Sequence, residues 1–477
     1  MYIALFFIVL VVFAGVTLGY SLIKKKKDVK VGTSDSFLTA RESAGGLKMG
    51  LSLIAIVMGS WALFSPAEAA YTGGIVSALG YGLAQGGGII FFAVFGVRLR
   101  KLMPRGASIN EFVNARYGNA AYVTALIVGL FYMGVLLTSE LTGVSSALLS
   151  IWGVPIAVST LGILIGVFLY VVVGGMVSSL FGDTIQGVFI FPTLILAFLG
   201  TLVSVGGWGE VAAKVQDPAM LNFGDPAGWR FAITLMVAIF AASQFAQPFW
   251  QRSYACKDDS VVRKSFAIGG VIIIPLVIVS ALFGVIGHAM DVVTNPSIAL
   301  FEVVNAVAPG WVIAIIMVLA VTLIMSTVAA YVIGISSVIA LDAKRYKRNE
   351  NMTDAQMLRN ARIITAAISV IAALFAFGQF SVLYMFLLAD LICAAAVFPT
   401  LYGLYNRRMS GKVFVIATIS GLVAGGIMFP PPDFSRGDLL YSFLLGLIVP
   451  AIICVICGRK GQEVNLEELD SKIQELK

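Results

Sequence analysis

The chain has 477 residues, 59% of them hydrophobic and 12% charged, with a formal net charge of +7 and a mean hydropathy of +0.96. A soluble domain carries about 25% charged residues, so this composition excludes one and makes the bilayer the solvent. The sequence contains no Walker loop and no nucleotide fingerprint, which argues against a pump driven by ATP bound to this chain.

A membrane crossing needs about 20 apolar residues. Thirteen such runs follow one another, near 2–23, 47–71, 76–97, 119–148, 154–176, 178–204, 230–251, 266–289, 309–341, 361–379, 381–405, 412–429 and 438–457, and no soluble domain fits between them. The expected fold class is an all-α integral membrane protein. The 49 glycines suit helices that pack closely or break within a bilayer.

The first run ends in "KKKKDVK" and has no basic residue before it. A secretory signal peptide has the opposite order, so this reads as an uncleaved helix with its N-terminus outside. Threading the other runs alternately leaves only Lys214, Arg230 and Arg436 outside and puts 29 of the 32 Lys and Arg on the cytoplasmic side. The positive-inside rule requires such a bias. The net charge is therefore a topology signal that implies no nucleic acid. A multi-pass protein of the plasma or inner membrane with a cytoplasmic C-terminus is expected.

The second run, "LIAIVMGSWALFSPAEAAYTGG", carries Gly59-Ser60 at mid-span and Pro66 a turn and a half later. Charges at membrane depth are rare and face a bundle interior or a hydrated path. Here they are Glu68 near the external end of the second run, Glu140 in the fourth, Asp183 in the sixth and Asp390 in the eleventh. Hydrogen bonding to a neighbouring helix is the alternative role for each. The seventh run packs Ser243, Gln244, Gln247 and Pro248 into one short polar stretch, and Pro248 removes a backbone donor and frees a carbonyl one turn earlier. Broken helices in corresponding positions of two halves point to a transporter's binding site. With the N-terminal run set aside, these two are the first and sixth, leaving five, five and two.

The stretch 290–308 reads as a short helical lid or an ordinary connector. In the ninth run Ser326 and Thr327 are adjacent near mid-span. A hydroxyl in a membrane helix often bonds back to the carbonyl a turn earlier. Two neighbouring ones facing the break at Ala55–Gly59 would also make an oxygen cage for a hard monovalent cation such as sodium. The four cysteines lie in or at the ends of membrane runs; "CVIC" has a redox or metal spacing, but with one histidine in the chain packing is the better account, and no cofactor is implied. In the tail, Leu466, Leu469, Ile473 and Leu476 share one helical face that would rest on the membrane or on the cytoplasmic loops; it is too short to imply a coiled-coil partner, and no obligatory protein partner is evident.

Taken in order, "FLTARESAGGLKMGLSLIA", "SINEFVNARYG", "FGDTIQGVF", "QPFWQRSYACKD" and "STVAAYVIGISSVIALDAKRY" give a chain that resembles the sodium:solute symporters from about Phe37 to Arg408. That group holds proline, sugar, sialic acid and urea transporters, and several of these pieces lean toward the urea-transporter-like branch. The resemblance implies a LeuT-type five-plus-five inverted repeat. Its parts would be an N-terminal helix and loop (1–45), a first repeat (46–206), a second repeat (207–408), two C-terminal helices (409–458) and a tail (459–477). It implies Na+ as coupling ion, on the carbonyls of Ala55, Met58 and Leu323 and the hydroxyls of Ser326 and Thr327. Asp183 matches the aspartate of a second sodium site found in some members, but Ala329 and Ala330 stand where its hydroxyls would be. Asp183 is thus expected on the ion's exit path, with one sodium carried per cycle.

The resemblance also implies a solute site lined by Ser60, Trp61, Ala62, Gln85, Glu140, Gln244, Gln247, Trp250, Tyr384 and Asp390. Trp61 and Ala62 replace the polar side chains of sugar carriers. Acidic groups with amides and an aromatic suit a small nitrogen-containing solute, urea or a relative. The expected function is sodium-coupled symport by alternating access. The alternatives are a proton-coupled carrier using Asp183 or Asp390, and a sensor that binds solute without moving it. An enzyme is not expected, because there is no clustered nucleophile.

Overall fold

Without water in the hydrocarbon core every backbone amide and carbonyl must be satisfied internally, and the chain meets this demand with helices. A computed structural model describes residues 2–27, 40–345, 354–432 and 435–472. Its helices are α1 (Tyr2–Lys27), α2 (Gly46–Val57), α3 (Ser60–Leu102), α4 (Ile109–Tyr117), α5 (Asn119–Trp152), α6 (Ile156–Ser204), α7 (Trp208–Lys214), α8 (Pro226–Ser243), α9 (Gln247–Ala255), α10 (Asp259–Met290), α11 (Ala299–Val307), α12 (Gly310–Arg345), α13 (Asp354–Ala376), α14 (Val382–Tyr402), α15 (Gly411–Met428) and α16 (Leu439–Cys457). The fold is all-α, as expected from the sequence.

Ten helices among the described residues are long and apolar enough to cross a membrane. Two of them, α3 and α6, are far longer than a crossing and bend at Gly74 (φ 65°, ψ −161°) and Gly175 (φ 50°, ψ −139°). A Cβ on Gly74 would run into the Met220 backbone, and its positive φ is one that other residues rarely adopt. The expected thirteen crossings require each of these helices to be divided at its glycine and the short apolar stretch 362–376 of α13 to be counted as well.

Both anticipated interruptions are present. The second run divides into α2 and α3 at Met58–Gly59, and the seventh into α8 and α9 at Gln244–Ala246. Pro66 does not break its helix; α3 runs straight through it. A proline deprives the residue four earlier of its helical donor, here Ala62, whose carbonyl instead accepts from Ser280 Oγ on α10 at 2.5 Å.

At the face bearing most of the lysines and arginines, a strand-like segment precedes α2. It donates from Glu42 N to Tyr254 O (3.1 Å) and from Ala44 N to Ala255 O (3.0 Å), and Lys257 N returns a bond to Ala44 O (3.0 Å). At the opposite face, the stretch 290–308 forms a short 3-10 turn and then α11. Its Glu302 accepts from the backbone of Thr294 (2.7 Å) and Asn295 (3.1 Å). The tail forms a 3-10 turn, Leu466–Lys472, with Leu466 and Leu469 buried. Asp470 Oδ2 meets Arg105 Nε at 2.7 Å, so the tail docks on the loop between α3 and α4; Ile473 and Leu476 lie outside the described residues.

Candidate functional site

The end of α2 supplies carbonyls. The last turn of a helix has no following amides to satisfy them, and Ala55 and Met58 lie in or just beyond that turn, fully buried. Gly59 opposite them is in close contact with α12, since a Cβ there would fall on the Thr327 side chain. Of the two adjacent hydroxyls of the ninth run, that of Thr327 therefore meets the break in the second.

Thr327 Oγ1 donates back to Leu323 O at 3.1 Å, which is the ordinary behaviour of a helical threonine. Ser326 Oγ donates to Asp183 Oδ1. Each hydroxyl spends its proton on these bonds and keeps oxygen lone pairs, which is the chemistry a sodium ion needs.

Asp183 is hydrogen-bonded to neighbouring helices, the alternative role that the sequence allowed it. Its Oδ2 accepts from Arg252 Nη2 at 2.5 Å and from Ser52 Oγ at 2.8 Å, and Arg252 Nε also donates to Ser52 Oγ at 2.9 Å. The Asp183 and Arg252 side chains are both 0% exposed. The cluster joins α2 (Ser52), the second limb of α6 (Asp183), α9 (Arg252) and α12 (Ser326). A buried carboxylate is tolerable when paired and hydrogen-bonded, so this arrangement explains how Asp183 survives in an apolar run. Sequence reasoning missed Arg252, which reads as part of a basic loop, and Ser52. The available signal was the position of Arg252 four residues after Pro248, whose carbonyl takes its Nη1 at 3.0 Å. Ala329 and Ala330 are buried and apolar and add no oxygen.

Between the two broken helices lies a cavity of about 30 Å3, bounded among others by Trp61, Tyr81, Gln85, Tyr132, Tyr331 and Asp390. Three of the ten solute-site residues expected from the sequence, Trp61, Gln85 and Asp390, are brought together there. Tyr331 stands one turn beyond Thr327 on α12, and Trp61 two residues beyond Gly59, so the cavity adjoins the break. Trp61 stacks against Tyr81, with centroids 6.5 Å apart at 16°.

The other expected residues are placed elsewhere. Gln244, Gln247 and Trp250 build the second break: the Trp250 indole donates to Gln244 O (2.7 Å) and Gln247 Nε2 to Ala107 O (2.9 Å). Pro248 is what leaves that Gln244 carbonyl without a helical donor. Ala62 is packed at 0% exposure and Glu140 is fully buried, both off the cavity wall. Tyr384 points to the opposite flank of α14, where it donates to Pro430 O at 3.1 Å. Ser60 heads α3; its side chain lies outside the described residues. Glu68 knits the face opposite the basic loops, accepting from Ser297 Oγ (2.8 Å), Ser381 Oγ (2.7 Å) and Leu383 N (3.1 Å).

Comparison with known proteins bears on the family and the fold. A family profile described as "Sodium:solute symporter family" matches residues 37–421. A spermidine transporter of Candida albicans is 25% identical over 78% of this chain and 70% of its own length. A probable urea active transporter of Schizosaccharomyces pombe is 23% identical over 83% of this chain and 65% of its own. The sodium/pantothenate symporter of Escherichia coli is 23% identical over 85% of each. Among solved structures, a Na+-coupled sialic acid symporter in a substrate-bound outward-open state superposes with a TM-score of 0.80 at 16% identity, over 97% of this chain and 99% of that one. Mhp1 in an inward-facing conformation superposes with a TM-score of 0.53 at 13% identity, over 93% and 98%. At these identities the structures speak for the fold alone.

Proposed function

The chain belongs to the sodium:solute symporter family and is a multi-pass secondary transporter, not an enzyme; from that premise we propose that it couples inward movement of a small nitrogen-containing solute to sodium. The observation that carries this reading is the contact of Gly59 with Thr327, which sets one hydroxyl of α12 against the carbonyl end of α2. Sodium bound by Ala55, Met58, Leu323, Ser326 and Thr327 ties α2 to α12 and favours the outward-open form. Solute then binds in the adjoining cavity, and the bundle rocks inward.

In this scheme the N-terminus is outside and the basic loops face the cytoplasm. The repeats run over 46–206 and 207–408, flanked by an N-terminal helix and loop (1–45), two C-terminal helices (409–458) and a tail (459–477). Asp183, paired with Arg252, lies in this scheme on the route by which sodium leaves. Because Arg252 already neutralises Asp183, and Ala329 and Ala330 offer no hydroxyls, one sodium is carried per cycle. The membrane potential contributes about 2.3 kcal/mol per charge per 100 mV, enough for roughly fifty-fold accumulation.

A second reading, a proton-coupled carrier, is favoured by one observation: Asp390 is buried and borders the cavity, where a carboxylate can shuttle a proton. Uptake into proteoliposomes separates the two. An inward sodium gradient should drive accumulation of solute at constant pH, and collapse of that gradient should abolish it. Uptake indifferent to sodium and abolished by a protonophore would replace sodium with protons.

A further inference from the structure

Of the four carboxylates that the sequence places at membrane depth, three are accounted for within the protein. Asp183 has Arg252, Glu68 has two hydroxyls and an amide, and Glu140 has partners of its own. Asp390 is the exception. It is 4% exposed, it has no hydrogen-bond or ion-pair partner among the described residues, and it borders the cavity.

Half of the rest of the wall is aromatic, beside aliphatic residues and the neutral polar Gln85 and Ser243. Trp61, Tyr81, Tyr132, Phe249, Tyr331 and Phe386 give it six aromatic side chains, and no lysine or arginine among the described residues lines it. A carboxylate left in such surroundings without a counter-charge is expensive. It would repel an anionic solute, whereas a cationic one supplies the charge it lacks.

We infer that the transported solute is an organic ammonium ion whose charged head sits against Asp390 inside this aromatic enclosure. A cation brings the missing counter-charge, and aromatic rings within about 6 Å attract it as well. The size admits a head group: on the measure by which one water needs about 10–15 Å3, the cavity offers about 30 Å3. The tail of the solute is accommodated as the bundle opens. With a single unpartnered carboxylate in the wall, the site recognises one ammonium group, either that of a monoamine or one end of a longer amine. This inference rests on the cavity being the solute site proposed above.

The test uses full-length protein, first as a thermal-shift panel in sodium chloride with butylammonium, ethanolamine, urea and acetate, then as uptake of the same probes into proteoliposomes. The amines should raise the unfolding temperature and be accumulated; urea and acetate should do neither. Asp390→Asn should weaken amine binding at least about tenfold, and Trp61→Leu about three- to thirtyfold. A wild-type protein that ignores both amines overturns the inference without recourse to variants. If that protein accumulates urea under a sodium gradient, the symport reading stands while the ammonium assignment falls. Amines that bind and are accumulated without sodium leave the assignment in place and remove sodium coupling instead. Equal amine affinity in wild type and in folded Asp390→Asn also overturns it.

Discussion

Arg252 Nη2 lies 2.5 Å from Asp183 Oδ2, across 69 residues of sequence, with both side chains sealed from solvent. A buried ion pair contributes little net stability, but removing one partner strands the other at a cost of about 3–5 kcal/mol. Arg252→Met and Asp183→Asn should each lower the unfolding temperature of the purified protein markedly. The double variant should lose much less than the sum of the two. Additive losses would show that the charges do not act on each other.

Thr327→Val keeps the shape of the side chain and removes its oxygen. If that oxygen binds the coupling ion, the loss of one hydrogen-bond-like contact to a charge is worth about 1.5–3 kcal/mol. The sodium concentration for half-maximal uptake should then rise about tenfold or more, while Thr327→Ser stays near wild type. An unchanged sodium dependence in Thr327→Val would take this hydroxyl out of the ion site.

The Hill coefficient of a transporter cannot exceed its number of coupled ion sites. With Arg252 on Asp183 and alanines at 329 and 330, flux against sodium should follow a Hill coefficient of about one. A value near two would require a second ion and a different occupant for the Asp183 cluster.

The indole of Trp250 supplies the donor for Gln244 O at the second break. Trp250→Phe leaves a buried carbonyl unsatisfied, at a cost of about 1–3 kcal/mol. Thermal unfolding should detect this loss, and a Trp250→His variant able to donate should recover part of it.

The helices and both interruptions were legible because they depend on local chemistry. Apolar runs of crossing length, Gly59 next to Ser60, and Pro248 within a polar stretch act on their own segment of backbone. Pro66 shows where local reasoning stops, since the carbonyl it frees is satisfied by Ser280 on a distant helix and the helix continues. Arg252 was missed for the same reason: its partner comes from elsewhere in the chain. The cavity wall was legible only in small part, since three of the ten expected residues line it. Helices apolar all round give no sign of which face meets a cavity, so Trp61, Gln85 and Asp390 were found together with Tyr384, which faces the other way. Tyr81, Tyr132 and Tyr331 carry no local sequence signal that separates them from packing aromatics.

The backbone stitching of residues 42–44 to 254–257 has a mechanical consequence. Half-helices α2 and α9 leave the bundle on the same side with their ends laced together, so neither is a free swinging arm. Any hinge that tilts one must drag the other or unlace three amide–carbonyl contacts, and the path that opens there is shaped by a paired shutter.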